Sequence, residues 1–156
     1  MYRHLLVPID NTDLSTITVS RAIELARTLG ARITFFHALP DHATMLRGDA
    51  DVVRLTSPDD YVAYEGRAWE LLAEAESAGR AQGLTCDSTC AVSDSPYRAI
   101  VAAANEASCD LIFMASHGRR SNIGMMLGSQ TLKVLINTEI PVLVSAITDP
   151  LCRSRP

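Results

Sequence analysis

Apolar positions along this chain follow two alternating rhythms. Nearly continuous apolar runs recur at residues 3–9, 31–38, 110–115 and 140–145, as expected of strands buried on both faces of a parallel sheet. A fifth run, 84–92, is broken by Thr and Ser and predicts a strand near the edge of that sheet. Between the runs the apolar spacing turns helical. Ile17, Ala22, Ile23, Leu25, Ala26 and Leu29 share one face of a first helix, which Gly30 should stop. Ser57-Pro58-Asp59-Asp60 opens a long second helix with Tyr61, Ala68, Leu71, Leu72, Ala75 and Ala78 turned inward, ending near Gly83. Ser93-Asp94-Ser95-Pro96 caps a third, with Ile100, Val101, Ala104 and Ala107 inward, and a fourth runs from about Ser129 to Asn137.

Strands that alternate with helices predict an α/β fold: one domain over residues 1–146, a doubly wound five-stranded parallel sheet with helices on both faces. The order 2-1-3-4-5 and the order 3-2-1-4-5 both satisfy the pattern. In either, ligands bind beyond the carboxyl ends of the strands, where the winding reverses. Asp10 follows the first strand and the 115–118 loop follows the fourth, so the two share a crevice if those strands are neighbours. Residues 39–59 lack periodicity and suggest a lid or mobile loop. Residues 147–156 read as a tail.

Composition narrows the partners. With 47% hydrophobic and 21% charged residues, the 156-residue chain reads as an ordinary globular domain. A net charge of −4 offers no broad basic face for nucleic acid. There is no apolar run long enough to span a membrane and no signal-peptide core after Met1, so a cytoplasmic protein is expected. Of the four cysteines, Cys86 and Cys90 share a strand face but stand about 13 Å apart, too far for one metal or a disulfide. With Cys109 they read as small, partly buried residues, and Cys152 as a thiol in the tail.

The chemistry concentrates in residues 114–129, MASHGRRSNIGMMLGS, where a strand, a loop of small residues and a Gly-Ser helix start follow one another. Glycines let backbone N–H groups approach phosphate oxygens, and a helix N-terminus supplies unpaired donors and a positive dipole. The segment is not a P-loop, since no Lys follows Gly128, nor is it a G-x-G-x-x-G fingerprint. Arg119 and Arg120 are a local basic exception in an acidic chain. His117 can order the loop or touch phosphate, while His37, closing the second strand, reads as structural. Met125, Met126 and Leu127 read as packing residues ahead of the fourth helix.

On these residues the chain resembles the universal stress protein family over about residues 2–146. The resemblance is carried by Val7-Pro8-Ile9-Asp10, Phe36-His37-Ala38, Ala115-Ser116-His117-Gly118 before Gly128-Ser129, and the run from Ile140 to Val144. ATP-binding members show Gly-x2-Gly-x9-Gly-(Ser/Thr). Here the spacing holds through Gly118, Gly128 and Ser129, with Ala115 in place of the first glycine. The resemblance implies strand order 3-2-1-4-5 and ATP, with or without Mg²⁺, held by Gly118, Arg119, Gly128, Ser129, Gln130 and His117. It implies further that Asp10 serves the adenosine end, that Pro8, Ala38 and Ala115 line the pocket, and that Val142, Leu143 and Val144 form a homodimer. Ala115 weakens the site if its position needs positive φ, where a Cβ costs about 1–2 kcal/mol, or if its methyl crowds the ribose. Three readings follow: a nucleotide-binding stress and signalling module without efficient turnover; a slow ATPase or self-phosphorylating protein using Ser129; and a dimeric interaction module that binds no nucleotide.

Overall fold

The computed structural model describes residues 1–12, 14–41, 57–116 and 128–146. Strand β1 (His4–Pro8) leads to helix α1 (Leu14–Leu29), and β2 (Arg32–Leu39) precedes α2 (Pro58–Ala81). Then come β3 (Cys86–Val92), α3 (Pro96–Glu106), β4 (Leu111–Ala115), α4 (Ser129–Asn137) and β5 (Val142–Ser145). The strands are parallel and ordered β3-β2-β1-β4-β5, which selects one of the two windings open to the sequence. β1 pairs with both β2 and β4, so the chain reverses its winding there.

Successive strand residues point to opposite faces, and the core divides accordingly. Leu5, Val7, Ile33, Phe35, Leu111 and Phe113 pack on one face with Ala22, Ile23 and Ala26 of α1 and Leu72 and Ala75 of α2. Leu6, Phe36, Ile112 and Met114 pack on the other with Ala99, Ile100, Ala103 and Ala104 of α3 and Val134 of α4. Leu5, Leu6, Ile33 and Ile112 are wholly buried, each stabilising the fold by about 1.5–3 kcal/mol.

Ser57 caps α2 as its sequence suggests, its Oγ accepting from the Asp60 N–H at 3.2 Å. Gly30 and Gly83, with φ of +65° and +80°, end α1 and α2. The third helix starts in the expected Ser93–Pro96 segment but is held there differently. Ser95 is its N-cap residue but makes no side-chain cap bond; the Tyr97 N–H is taken instead by Gln130 Oε1 of α4 at 3.1 Å. Its stop is Ser108, which adopts φ of +53° without being a glycine. Within α2 the inward residue is Gly79, while Ala78 is exposed. A Cβ at Gly79 would stand 2.3 Å from Cys86 Sγ, so β3 packs too closely there for any side chain. The strands are shorter than their apolar runs: β3 begins at Cys86 rather than 84, and β5 at Val142 rather than 140. β3 is an edge strand, as its polar pattern predicts. The expected lid, apart from 39–41 and 57–59, and the 147–156 tail lie outside the described residues. No helix among the described residues is long and apolar enough to cross a membrane.

Candidate functional site

β1 and β4 are hydrogen-bonded neighbours, so Asp10, one residue past Ile9, and Ala115, which ends β4, lie at the same carboxyl edge of the sheet. The turn at Asp10 is built locally. Its Oδ1 accepts from the Thr12 N–H at 3.0 Å and from the Thr12 hydroxyl. Buried Ser15 accepts the Asp10 N–H at 2.9 Å, and its hydroxyl lies 2.7 Å from the Asp10 carbonyl and 2.9 Å from Oδ1. Oδ2 takes no hydrogen bond among the described residues. Beside it, Asn11 Oδ1 is buried with no hydrogen-bond partner among them. Among the described residues, then, Asp10 Oδ2 at this edge keeps acceptor capacity that a ligand hydroxyl or amino group could use.

Pro8 and Ala38 occupy the carboxyl halves of β1 and β2 and are partly buried. The Ile9 N–H donates to the Phe36 carbonyl at 2.9 Å, extending the β1–β2 pairing past Pro8. His37 seals the same end: its Nδ1 lies 2.8 Å from the Ile9 carbonyl, so Nδ1 carries the proton and holds β1 and β2 together. It is 1% exposed, which agrees with the structural role expected of it.

At the other wall, Ala115 is extended backbone at the end of β4, and Ser108 is the one non-glycine residue with positive φ among those described. The alanine therefore carries no left-handed strain, and of its two expected costs only crowding by the methyl group survives. Its carbonyl accepts from Thr131 Oγ1 of α4 at 2.9 Å, and the Ser116 N–H donates to Ser145 at 2.9 Å. Gly128 is the N-cap of α4, with φ −67° and ψ 151°, and it has no side chain to cap the helix. The Leu132 N–H is the first to reach back into the helix, to Gly128 at 3.0 Å. The N–H groups of Ser129, Gln130 and Thr131 thus have no intrahelical acceptor. Ser129 is exposed at this open start, and the dipole there favours an anion by about 0.3–2 kcal/mol.

The Gln130 side-chain oxygen is engaged with the Tyr97 N–H of α3, and its backbone N–H stands among the open donors at the start of α4. His117, Gly118, Arg119 and Arg120, together with the three packing residues before Gly128, lie outside the described residues. Several residues at this edge escaped the sequence reading: Ser15, Thr131 and Arg21. Arg21 donates from α1 to Ser145 Oγ at 2.8 Å and to the Ala146 carbonyl, pinning the end of β5. A Ser five residues after an Asp hints at a turn, but nothing local marks Arg21 or Thr131, whose partners are set by the packing of distant elements.

A cavity of about 740 Å³ lies elsewhere, along the β2–β3 surface beside α3, bordered by Thr34, Phe36, Thr89 and Ala103, and none of the seven expected site residues that are described lines it. The described thiols offer no alternative chemistry. Burial, and then Glu65, push Cys90 up to about 11; Cys109 is also held near about 11, chiefly by burial, and Cys86 is raised for the same reason. All three are free, and no group of metal-ligating side chains occurs among the described residues.

A doubly wound parallel sheet, reversing at β1 with an uncapped helix start and a carboxylate on adjoining strands, places the chain in the class of α/β domains whose ligand sites lie beyond the carboxyl ends of the strands. Residues 1–145 match the universal stress protein family, and the chain belongs to it. Among curated proteins it is similar to the stress response protein NhaX of Bacillus subtilis, with 27% identity over 160 residues, 90% of this chain and 95% of that one. Among solved structures it resembles the hypothetical protein MJ0577, with a TM-score of 0.75 at 19% identity, covering 96% of this chain and 99% of the other. It also resembles the universal stress protein from Archaeoglobus fulgidus in complex with dAMP, with a TM-score of 0.64 at 22% identity over 92% and 97% of the two chains. At these identities the structural likenesses establish the shared fold.

Proposed function

We propose that this stress protein is a signalling module that binds an adenine nucleotide, ATP in the first instance, at the carboxyl ends of β1 and β4. The observation that carries the reading is the uncapped start of α4 at Gly128-Ser129, set on the same sheet edge as Asp10. The phosphates lie against the first N–H groups of α4, with Gly118, Arg119 and His117 as the further nucleotide-binding residues that the family motif implies. Asp10 accepts from the ribose, and Pro8, Ala38 and Ala115 border the base and sugar. Adenine-nucleotide binding by the Archaeoglobus relative supports the choice of ligand. Micromolar affinity needs about 8 kcal/mol, several times what a helix terminus supplies, so base and ribose contacts provide most of it. The reading includes no efficient turnover. Asp10 is the described acid at this edge, and its Oδ1 is engaged by Thr12 and Ser15, so any Mg²⁺ is held mainly by the phosphates. Slow hydrolysis, or phosphorylation of Ser129, remains the enzymatic alternative.

The test is calorimetric titration of nucleotide-stripped protein with ATP and Mg²⁺, then with AMP and with ATP alone. Micromolar binding lost in the Gly118→Ala/Gly128→Ala variant supports the reading; no heat from wild-type protein overturns it. Phosphate release followed over hours separates a binding module from a slow ATPase.

The same reading includes a homodimer through Val142, Leu143 and Val144. β5 is an edge strand with Leu143 37% exposed, and α4 beside it leaves Leu132 and Ile136 open. An unprotected apolar edge invites a second strand, and a two-fold pair buries it on both copies. Leu143→Lys is expected to give a monomer by light scattering at micromolar concentration. A wild-type monomer there would remove the dimer from the reading.

A further inference from the structure

Helix α2 carries a surface that neither the core nor the nucleotide reading uses. Ala68, Leu72, Ala75 and Gly79 bury one face of it. Val62, Gly66, Trp69 and Ala73 recur at helical spacing on the outward side, all exposed, Val62 at 65% and Trp69 at 47%. Gly66 is the unexplained member. It lies in mid-helix, where glycine costs stability relative to alanine, yet its φ is not positive and a Cβ would meet nothing within 4 Å. Neither backbone conformation nor packing among the described residues calls for it. The missing side chain leaves the helix backbone open to approach between Val62 and Trp69, where a partner's side chain could settle.

Charge states what can settle there. Over its 24 residues α2 holds Asp59, Asp60, Glu65, Glu70, Glu74 and Glu76 against Arg67 and Arg80, a balance of −4 equal to that of the whole chain. By helical spacing Glu65 and Glu76 run along one side of the stripe and Asp59, Glu70 and Glu74 along the other. Arg67 is already engaged with Glu70 at 3.2 Å and Glu74 at 3.6 Å, and Arg80 with Glu76 at 2.9 Å. An apolar stripe bracketed by carboxylates repels nucleic acid and anionic lipid, and repels its own copy in a two-fold pair.

We propose that this face is a docking site for a basic amphipathic helix of a partner protein. Apolar side chains of the partner seat against Val62 and Trp69 and over Gly66, while its Lys and Arg residues reach the flanking carboxylates. Such a helix crossing α2 excludes water from Trp69, the anchor type that dominates interface energetics. The inference does not rest on nucleotide binding.

Trp69 is the single tryptophan of the chain, so its emission reports directly on the site. The probe is a synthetic helical peptide built on the Lys-Leu-Ala-Lys-Leu-Ala-Lys repeat, labelled for anisotropy and titrated into the full chain. A counterpart with Glu for every Lys is the control. The proposal expects a blue shift of Trp69 emission, saturable binding that weakens with salt, and no response to the acidic peptide. Gly66→Leu extends into open space and improves the helix, so it folds; it is expected to cut peptide affinity at least tenfold, and Trp69→Ala likewise. Equal binding by Gly66→Leu and wild type would reduce the effect to diffuse attraction by an acidic surface and overturn the proposal. So would a blue shift that grows with protein concentration alone, which assigns the face to a second copy, or one produced by phosphatidylglycerol vesicles, which assigns it to a membrane.

Discussion

Two aspartates stand at opposite ends of the same pair of central strands and are used in opposite ways. Asp110, at the amino end, spends both carboxylate oxygens on the backbone: Oδ1 accepts from Arg3 and His4 at 3.0 and 2.9 Å, and Oδ2 from Arg3 at 2.9 Å. Burial alone would raise its pKa, but the N–H groups of His4 and Arg3 outweigh it and hold the carboxyl below its usual range. Asp10, at the carboxyl end, spends Oδ1 on its own turn and leaves Oδ2 without a partner among the described residues. The chemistry of the residue is the same in both places. What separates a structural carboxylate from one available to a ligand is how much of its hydrogen-bonding capacity the fold has already consumed.

The largest expected effect comes from breaking the saturated end. Asp110→Ala strands the Arg3 and His4 N–H groups and loosens the β1–β4 start, and is expected to cost about 1.5–3 kcal/mol in urea unfolding, the range for hydrogen bonds to a charged group. Nucleotide affinity of the folded fraction should be unchanged; a parallel loss of binding would erase the distinction between the two ends. At the open end, Asp10→Asn keeps the Oδ1 acceptor of the turn but removes the charge. It is expected to weaken ATP binding about tenfold, or about 1.4 kcal/mol, with stability altered by less than about 0.5 kcal/mol. If stability falls instead, Asp10 belongs with Asp110.

Acid sharpens the comparison, because the amino end also holds His4. Its imidazole is buried, Nε2 lying 2.8 Å from Thr34 Oγ1, and burial followed by the Arg32 charge lowers its pKa below the ordinary value. A lowered pKa in the folded state means the unfolded chain binds the proton more readily. The His4 contribution is therefore complete above about pH 6.5 and is lost as pH falls through its folded value. The Asp110 contribution is complete above its unfolded value of about 3.9 and is lost below it. Unfolding midpoints measured across this range should fall in two stages, with Asp110→Asn flattening the lower one. The smallest effect is reserved for Ala115→Gly. With no positive φ to relieve, it should leave stability within about 0.5–1 kcal/mol, the usual cost of glycine in a strand. Removing the methyl should improve ATP affinity by a few fold; weaker binding would show that the methyl is a useful contact.

Much of this could be read along the chain. The strands and helices announce themselves because burial repeats every second or every third to fourth residue. Gly30 and Gly83 end helices as expected because left-handed backbone favours glycine. Family membership was equally legible, since Asp10, Gly128 and Ser129 keep their spacing on a strand–loop–helix frame. The misses have a common cause. Ser108 ends α3 without a glycine, and Gly79 replaces Ala78 in the core because Cys86 crowds the helix. The Gln130 side-chain oxygen reaches the start of α3, and Arg21 reaches across to Ser145.

By itself, then, the sequence determined the elements, their alternation and the residue types gathered near the carboxyl edge, because propensity, period and turn chemistry act over a few neighbouring residues. The order 3-2-1-4-5 that the family resemblance implied is the one observed, whereas tertiary structure alone decided whether Ala115 was strained and which carboxylate kept an oxygen without a partner among the described residues. Each of those depends on atoms far apart in the chain, and no local pattern encodes a distance until the sheet has closed.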